Sequence, residues 1–122
     1  IGFSVPIFPS ANSAYYYRNG GRVLTEEARA YKQYVKIVAL NEKRKQGWIT
    51  PMPGVWLYMD LWFFMPNKIR RDNHNFKVMI DAMQDKSGKL LYVDDYFVMP
   101  RVQKVTIDRE NPRIEILLHD SL

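Results

Sequence analysis

The sequence predicts a single α+β domain with two main helices laid against a mixed β-sheet. Three observations carry that prediction. The chain has 122 residues, which gives room for one hydrophobic core and little more. Residues 55–64 are rich in branched and aromatic side chains with a period of two, residues 113–118 alternate likewise, and residues 97–107 read as a further strand. Two others, residues 26–42 and 76–83, repeat their apolar positions with the period of a helix. The resulting order, β-α-β-α-β-β, supplies helices that can cover a sheet of mixed direction.

Taken in order, residues 2–8 alternate apolar and small side chains and read as a strand, with Pro6 confining it to an edge or an end. Residues 9–13 are loop by composition. Tyr15-Tyr16-Tyr17-Arg18-Asn19-Gly20-Gly21-Arg22 follows. Read as function, its tyrosines and arginines contact a sugar-phosphate backbone around a Gly20-Gly21 hinge. Read as structure, it is a surface loop whose tyrosines fold back on the core. Thr25 is an N-cap, with Glu26 and Glu27 where the helix dipole favours acids. Tyr31, Tyr34, Val35 and Val38 mark the buried face of that helix. Lys43-Arg44-Lys45 reads as its solvated end.

In residues 55–64, Val55, Leu57, Met59, Leu61 and Phe63 share one face of a strand. Trp56, Tyr58, Trp62 and Phe64 on the other face imply that both sides are covered, one of them by a partner subunit. Asp60 stands alone among them and reads as a satisfied polar group. Residues 85–89 form a turn, and Asp94-Asp95 introduces the strand over 97–107, where Pro100 marks a bulge or an edge. Residues 108–112 form a hairpin turn. In the closing strand Ile114, Ile116 and Leu118 face inward.

Composition narrows the function classes. The formal net charge is +5, a balance that favours polyanionic partners, nucleic acid first among them. No apolar run approaches the roughly 18 residues of a membrane span, so no membrane partner is expected. The first residues lack a basic stretch followed by a long apolar run, so no secretory leader is expected there. Ile1 implies at least a methionine before it in the full product. There are no cysteines, which excludes disulfides, thiolate zinc sites and cysteine nucleophiles and agrees with a cytoplasmic location. No Walker A loop or dinucleotide fingerprint is present. His74 and His119 are too few and too far apart for a zinc motif.

The stretch Arg70-Arg71-Asp72-Asn73-His74-Asn75-Phe76-Lys77-Val78-Met79-Ile80-Asp81-Ala82-Met83 is a polar segment that becomes a helix. Phe76, Met79, Ile80 and Met83 form its apolar stripe. Asn73 or Asn75 can cap it, and its free N–H groups would attract phosphate. A second acidic group, Asp94-Asp95, follows the apolar run 90–93. Three chemistries are open to these clusters. One is structural: Asp72 pairs with Arg70 or Arg71, and Lys77 with Asp81 at i, i+4. Another is a divalent metal site, because Mg²⁺ takes carboxylates, water and substrate phosphate together. Bringing Asp72 near Asp94 or Asp95 without a cation would raise one pKa by like-charge repulsion, and a metal removes that conflict. The third, glycoside cleavage by paired carboxylates, suits a basic chain poorly.

The pattern Arg71-Asp72-x-His74-Asn75-x-Lys77-x-x-x-Asp81-Ala82-Met83, followed by Val93-Asp94-Asp95, resembles the RusA-like Holliday junction resolvases. The family motif reads Arg-Asp-x-Asp-Asn-x-x-Lys-x-x-x-Asp-Ala-Leu, then a hydrophobic residue and Asp-Asp. Pro6-Ile7-Phe8-Pro9-Ser10-Ala11-Asn12, the tyrosines, Arg18-Asn19-Gly20-Gly21-Arg22 and the Thr25-opened helix are similar too, so the resemblance spans nearly the whole chain.

The resemblance implies a RusA-like fold and a homodimeric, Mg²⁺-dependent endonuclease that nicks four-way DNA junctions, of a kind many phages and prophages encode. It implies Asp72, His74, Lys77 and Asp95 as catalytic residues. Asp72, His74, Asp94 and Asp95 would be metal ligands. Arg18, Arg22, Lys68, Arg70, Arg71 and Asn75 would be DNA contacts. Two departures stand out. His74 replaces the second motif aspartate, and one residue is missing between Asn75 and Lys77, a rotation of about 100° on a helix. An imidazole ligand suits Mn²⁺ better than Mg²⁺. The departures also support an alternative, a junction-binding protein with weakened or lost catalysis. A third class is a small scaffold that uses its aromatic strand.

Overall fold

The structure is a computed structural model that describes residues 1–9, 15–68 and 76–120. Four strands form the main sheet: β1 (Gly2–Val5), β4 (Leu57–Met65), β5 (Val98–Ile107) and β6 (Arg113–His119), in the order β1-β6-β4-β5. β6 runs antiparallel to both β1 and β4, whereas β5 lies parallel to β4, so the sheet is mixed. Two helices, α1 (Glu26–Gln46) and α2 (Lys77–Ala82), complete an α+β domain. β2 (Tyr15–Arg18) and β3 (Gly21–Leu24) make a separate two-stranded ribbon.

Period-two patterning decides which face of the sheet is buried. Leu57, Met59, Leu61, Phe63 and Met65 of β4 are all in the core, as are Ile114, Ile116 and Leu118 of β6. Val35 and Ala39 of α1 and Met79, Ile80 and Met83 around α2 close over them. α1 begins where Ala28 N donates to Thr25 Oγ1 at 3.2 Å, with Glu26 and Glu27 in its first turn. It ends at Gly47, whose φ of +67° is the left-handed conformation that favours glycine at this position.

The opposite face is not bare. Asp60 projects there yet is only 8% exposed, because three donors surround it. Arg101 Nε and Nη2 donate at 2.7 and 3.1 Å, Gln103 Nε2 donates at 3.0 Å, and His119 Nε2 lies at 2.8 Å. Burial pushes this carboxyl up, and the hydrogen bonds from Arg101 and His119 outweigh it, so the net shift is down. Asp60 is thus the satisfied polar group its isolation predicted. Arg101 also lies over the Tyr58 ring at 4.7 Å, and Arg113 over Phe64 at 3.9 Å. Long cationic side chains of this chain therefore cover part of the aromatic face that the sequence suggested for a partner.

Three local expectations are corrected. Residues 15–24 form a hairpin, not a loop: Asn19 and Gly20 both have positive φ, +53° and +78°, the geometry of a two-residue turn. Lys43 is not a freely solvated end but half-buried. Its ammonium donates to Thr50 Oγ1 at 2.7 Å and to the carbonyls of Gly88, Lys89 and Leu90 at 3.2–3.3 Å. It ties the end of α1 to the loop that follows α2. Finally, α2 has six residues, and Phe76 stands at its N-cap without a side-chain cap. Asn73 and Asn75, the expected caps, lie outside the described residues. So short a helix carries no anion site of its own.

Candidate active site

α2 is buried nearly all round. Val78, Met79, Ile80 and Ala82 are inside, which leaves Lys77 and Asp81, four residues apart, on its open side. Phe76 fixes where the helix starts, packing edge-on against Phe8 at 6.4 Å and lying 6.4 Å from Phe63. Beyond α2 the chain folds back on itself. Leu91 N donates to Met83 O at 3.2 Å, Asp85 N donates to Tyr92 O at 2.9 Å, and Gln84 pairs with Tyr92 as an isolated parallel bridge. The Tyr92 hydroxyl, fully buried, donates to Ile80 O at 2.6 Å.

This zipper delivers Asp95 to Asp81. Gln84 Oε1 accepts from Asp95 N at 2.9 Å, and the Asp95 carboxyl comes within hydrogen-bonding reach of Asp81. Burial and then that hydrogen bond raise Asp81 to about 6, against the opposing pull of Lys77 and Lys32. Tyr92 is raised well above its ordinary value, by burial first and then by the charges of Asp95 and Asp81. Two carboxyls and a phenol thus share one corner of the molecule.

Asp94 behaves differently from its neighbour. It is exposed, and its Oδ1 accepts from Tyr96 N at 2.9 Å, capping a short 3₁₀ turn over Asp95–Phe97. Beside it Trp56, Tyr96 and Phe97 form an aromatic group with ring centroids 5.0–6.2 Å apart. The expected pairing of Lys77 with Asp81 is not the close contact found. Among the described residues Asp81's near partner is Asp95, and Lys77 acts on it through space.

Of the residues singled out by sequence, Lys77 and Asp95 meet here around Asp81. Arg18 is exposed on β2, and Lys68 is exposed after β4. Asp72, His74, Asn75, Arg70 and Arg71 lie outside the described residues, as does the Arg22 side chain. Among the described residues no three potential ligand side chains converge on one point. Asp81 was legible as part of the motif. Its meeting with Asp95 was not, because that depends on how residues 83–95 fold back.

Two carboxyls held side by side, one of them raised to about 6 by burial and by its neighbour, are a donor set suited to a hard dication with oxygen ligands. No helix among the described residues is long and apolar enough to cross a membrane. A search of curated proteins finds no match. A family model described as endodeoxyribonuclease RusA does match, over residues 4–119 of the 122, and the chain belongs to that family of nucleases, which act on branched DNA.

Proposed function

We propose that this protein is a homodimeric, divalent-metal-dependent endonuclease that resolves four-way DNA junctions by paired phosphodiester hydrolysis. The observation that carries the reading is the Asp81–Asp95 pair, flanked by Lys77, at the open side of α2. Asp95 and Asp81 would hold the cation, Mg²⁺ or Mn²⁺, joined by Asp72 and His74 from the segment that precedes Phe76 in the chain. Asp94, engaged as a cap, is the weaker ligand of its pair. The bound cation would lower the pKa of a coordinated water and neutralise charge on the scissile phosphate.

The residues of the chain do the rest. Lys77 stands beside the acids, placed to offset charge that builds on the phosphate as the bond breaks. Gln84 fixes the backbone of Asp95 and Tyr92 fixes the end of α2, so neither carboxylate must reorganise during the reaction. Arg18, Arg22, Lys68, Arg70, Arg71 and Asn75 would hold the DNA backbone.

Two symmetric cuts call for two sites related by a two-fold axis. The exposed apolar side chains Val102, Val105 and Ile107 of edge strand β5, in register with Leu61, Phe63 and Met65 and so on one side of the sheet, favour that edge as the dimer contact.

The reading is tested with a synthetic four-way junction. Wild-type protein is expected to cut two opposed strands with Mg²⁺ or Mn²⁺ and to bind without cutting in Ca²⁺. A second reading, junction binding without catalysis, is favoured by His74 in place of an acid. It requires tight, salt-sensitive binding and no product with any divalent ion.

A further inference from the structure

α1 carries Arg29, Lys32 and Lys36 at i, i+3 and i+7, one stripe along the helix beside its buried face. With Gln33 they form one wall of a cleft of about 450 Å³. Asp81, Gln84 and Asp85, at the end of α2 and just beyond it, form the other. The cleft therefore reaches the acid pair at Asp81.

The cations of this wall are not consumed within the protein. Among the described residues neither Lys32 nor Lys36 forms an ion pair within 4.0 Å. Asp85, whose carboxylate feels the charge of Lys36, already accepts from Ser87 N at 3.0 Å and from Ser87 Oγ at 2.6 Å. Asp81 is engaged with Asp95. Arg29 is partly committed, since its Nη1 donates to Leu24 O at 2.9 Å. The stripe rises about 10 Å along the helix, enough to meet more than one phosphate of a strand.

We infer that the Arg29–Lys32–Lys36 wall of α1 is a phosphate track that leads one strand of branched DNA to the Asp81–Asp95 corner. The ligand is the sugar-phosphate backbone, read without regard to sequence. This rests on the nuclease reading above and adds to it a surface on the first helix, far in sequence from the motif residues.

The test is junction binding by fluorescence anisotropy, in EDTA so that neither cleavage nor metal occupancy enters, across a series of salt concentrations. Three proteins are compared: wild type, Lys32→Gln/Lys36→Gln, and Arg44→Gln/Lys45→Gln. The last removes the same charge at the far end of α1. Arg29 is left in place because its bond to Leu24 O supports the helix start. The first double variant is expected to bind at least about tenfold more weakly, and its slope of log affinity against log salt should fall by about two, one per lost phosphate contact. The second double variant should keep the wild-type slope.

Equal losses in both variants would show an effect of net charge alone and overturn the track. An unchanged slope in Lys32→Gln/Lys36→Gln, with its melting temperature intact, would also overturn it. Wild type that fails to bind the junction at low salt would remove the nuclease reading itself, and the track with it.

Discussion

Replacing Asp95 by asparagine is expected to lower junction cleavage by about 100-fold or more, while binding in Ca²⁺ is kept or tightened. The change preserves shape and removes the charge that a dication needs. Gln84 Oε1 would still accept from the backbone N–H of residue 95, so the local fold should stand. Asp94→Asn offers the contrast. Its carboxylate caps a turn and is exposed, so that variant should lose far less. Initial cleavage rates under single-turnover conditions, read beside gel shifts, separate the two. If Asp94→Asn were the silent variant's opposite, abolishing cleavage while Asp95→Asn cut normally, the pairing of Asp95 with Asp81 would have no catalytic role.

The second large effect is expected at Asp81, and its sign depends on pH. The carboxyl titrates near 6 in the folded protein, raised from 3.8. Below about pH 4 both folded and unfolded chains hold the proton, and the native state bears no penalty. As pH rises from about 4 to 6 the unfolded chain releases it first, so native stability falls, and above the folded value the loss is complete. Asp81→Asn removes that loss. The metal-free variant should melt several degrees higher than wild type at pH 8, an effect on the order of 1 kcal/mol once solvent screening of a half-buried group is allowed for. Near pH 4 the two should melt together. The same variant should need about 10- to 100-fold more Mn²⁺ for half-maximal cleavage, since one ligand is gone. Stability and metal affinity thus move in opposite directions. Calorimetry across the pH range, with and without Mn²⁺, would show both, and a fall in stability at pH 8 would contradict the assignment.

Much of the fold could be read from side-chain period. Odd-numbered residues of β4 and even-numbered residues of β6 face the core as the alternation requires, and Thr25 caps α1 as its side chain allows. What escaped was set by contacts distant in sequence. Lys43 sits in a basic run that reads as a wet helix end, yet three carbonyls of residues 88–90 enclose its ammonium. Gly20-Gly21 read as a hinge, with tyrosines that either contact a nucleic-acid backbone or fold back on the core, and only the register Tyr15 with Leu24 through Arg18 with Gly21 shows a ribbon that turns at Asn19-Gly20.

At the site, the two acids 94 and 95 are indistinguishable by composition. Local capping decides between them: one carboxylate turns back to Tyr96 N, and its neighbour reaches α2. Asp81 illustrates the same limit from the other side. Its spacing from Lys77 suggests an ordinary surface pair along a helix. Its partner is instead 14 positions further on, brought there by a fold-back that Gln84 and Tyr92 hold together. Like-charge repulsion between acids distant in sequence was foreseen for Asp72 and the 94–95 pair. In the structure Asp81 is raised by burial first, with Asp95 adding to the shift through a hydrogen bond and its charge.

A crystal soaked in Mn²⁺, with the ion located by its anomalous scattering, addresses the joint role of Asp81 and Asp95 most directly. One ion is expected within about 2.1 Å of a carboxylate oxygen from each of the two residues. An ion held by Asp94 instead, or full occupancy elsewhere with the Asp81–Asp95 corner empty, would contradict the account.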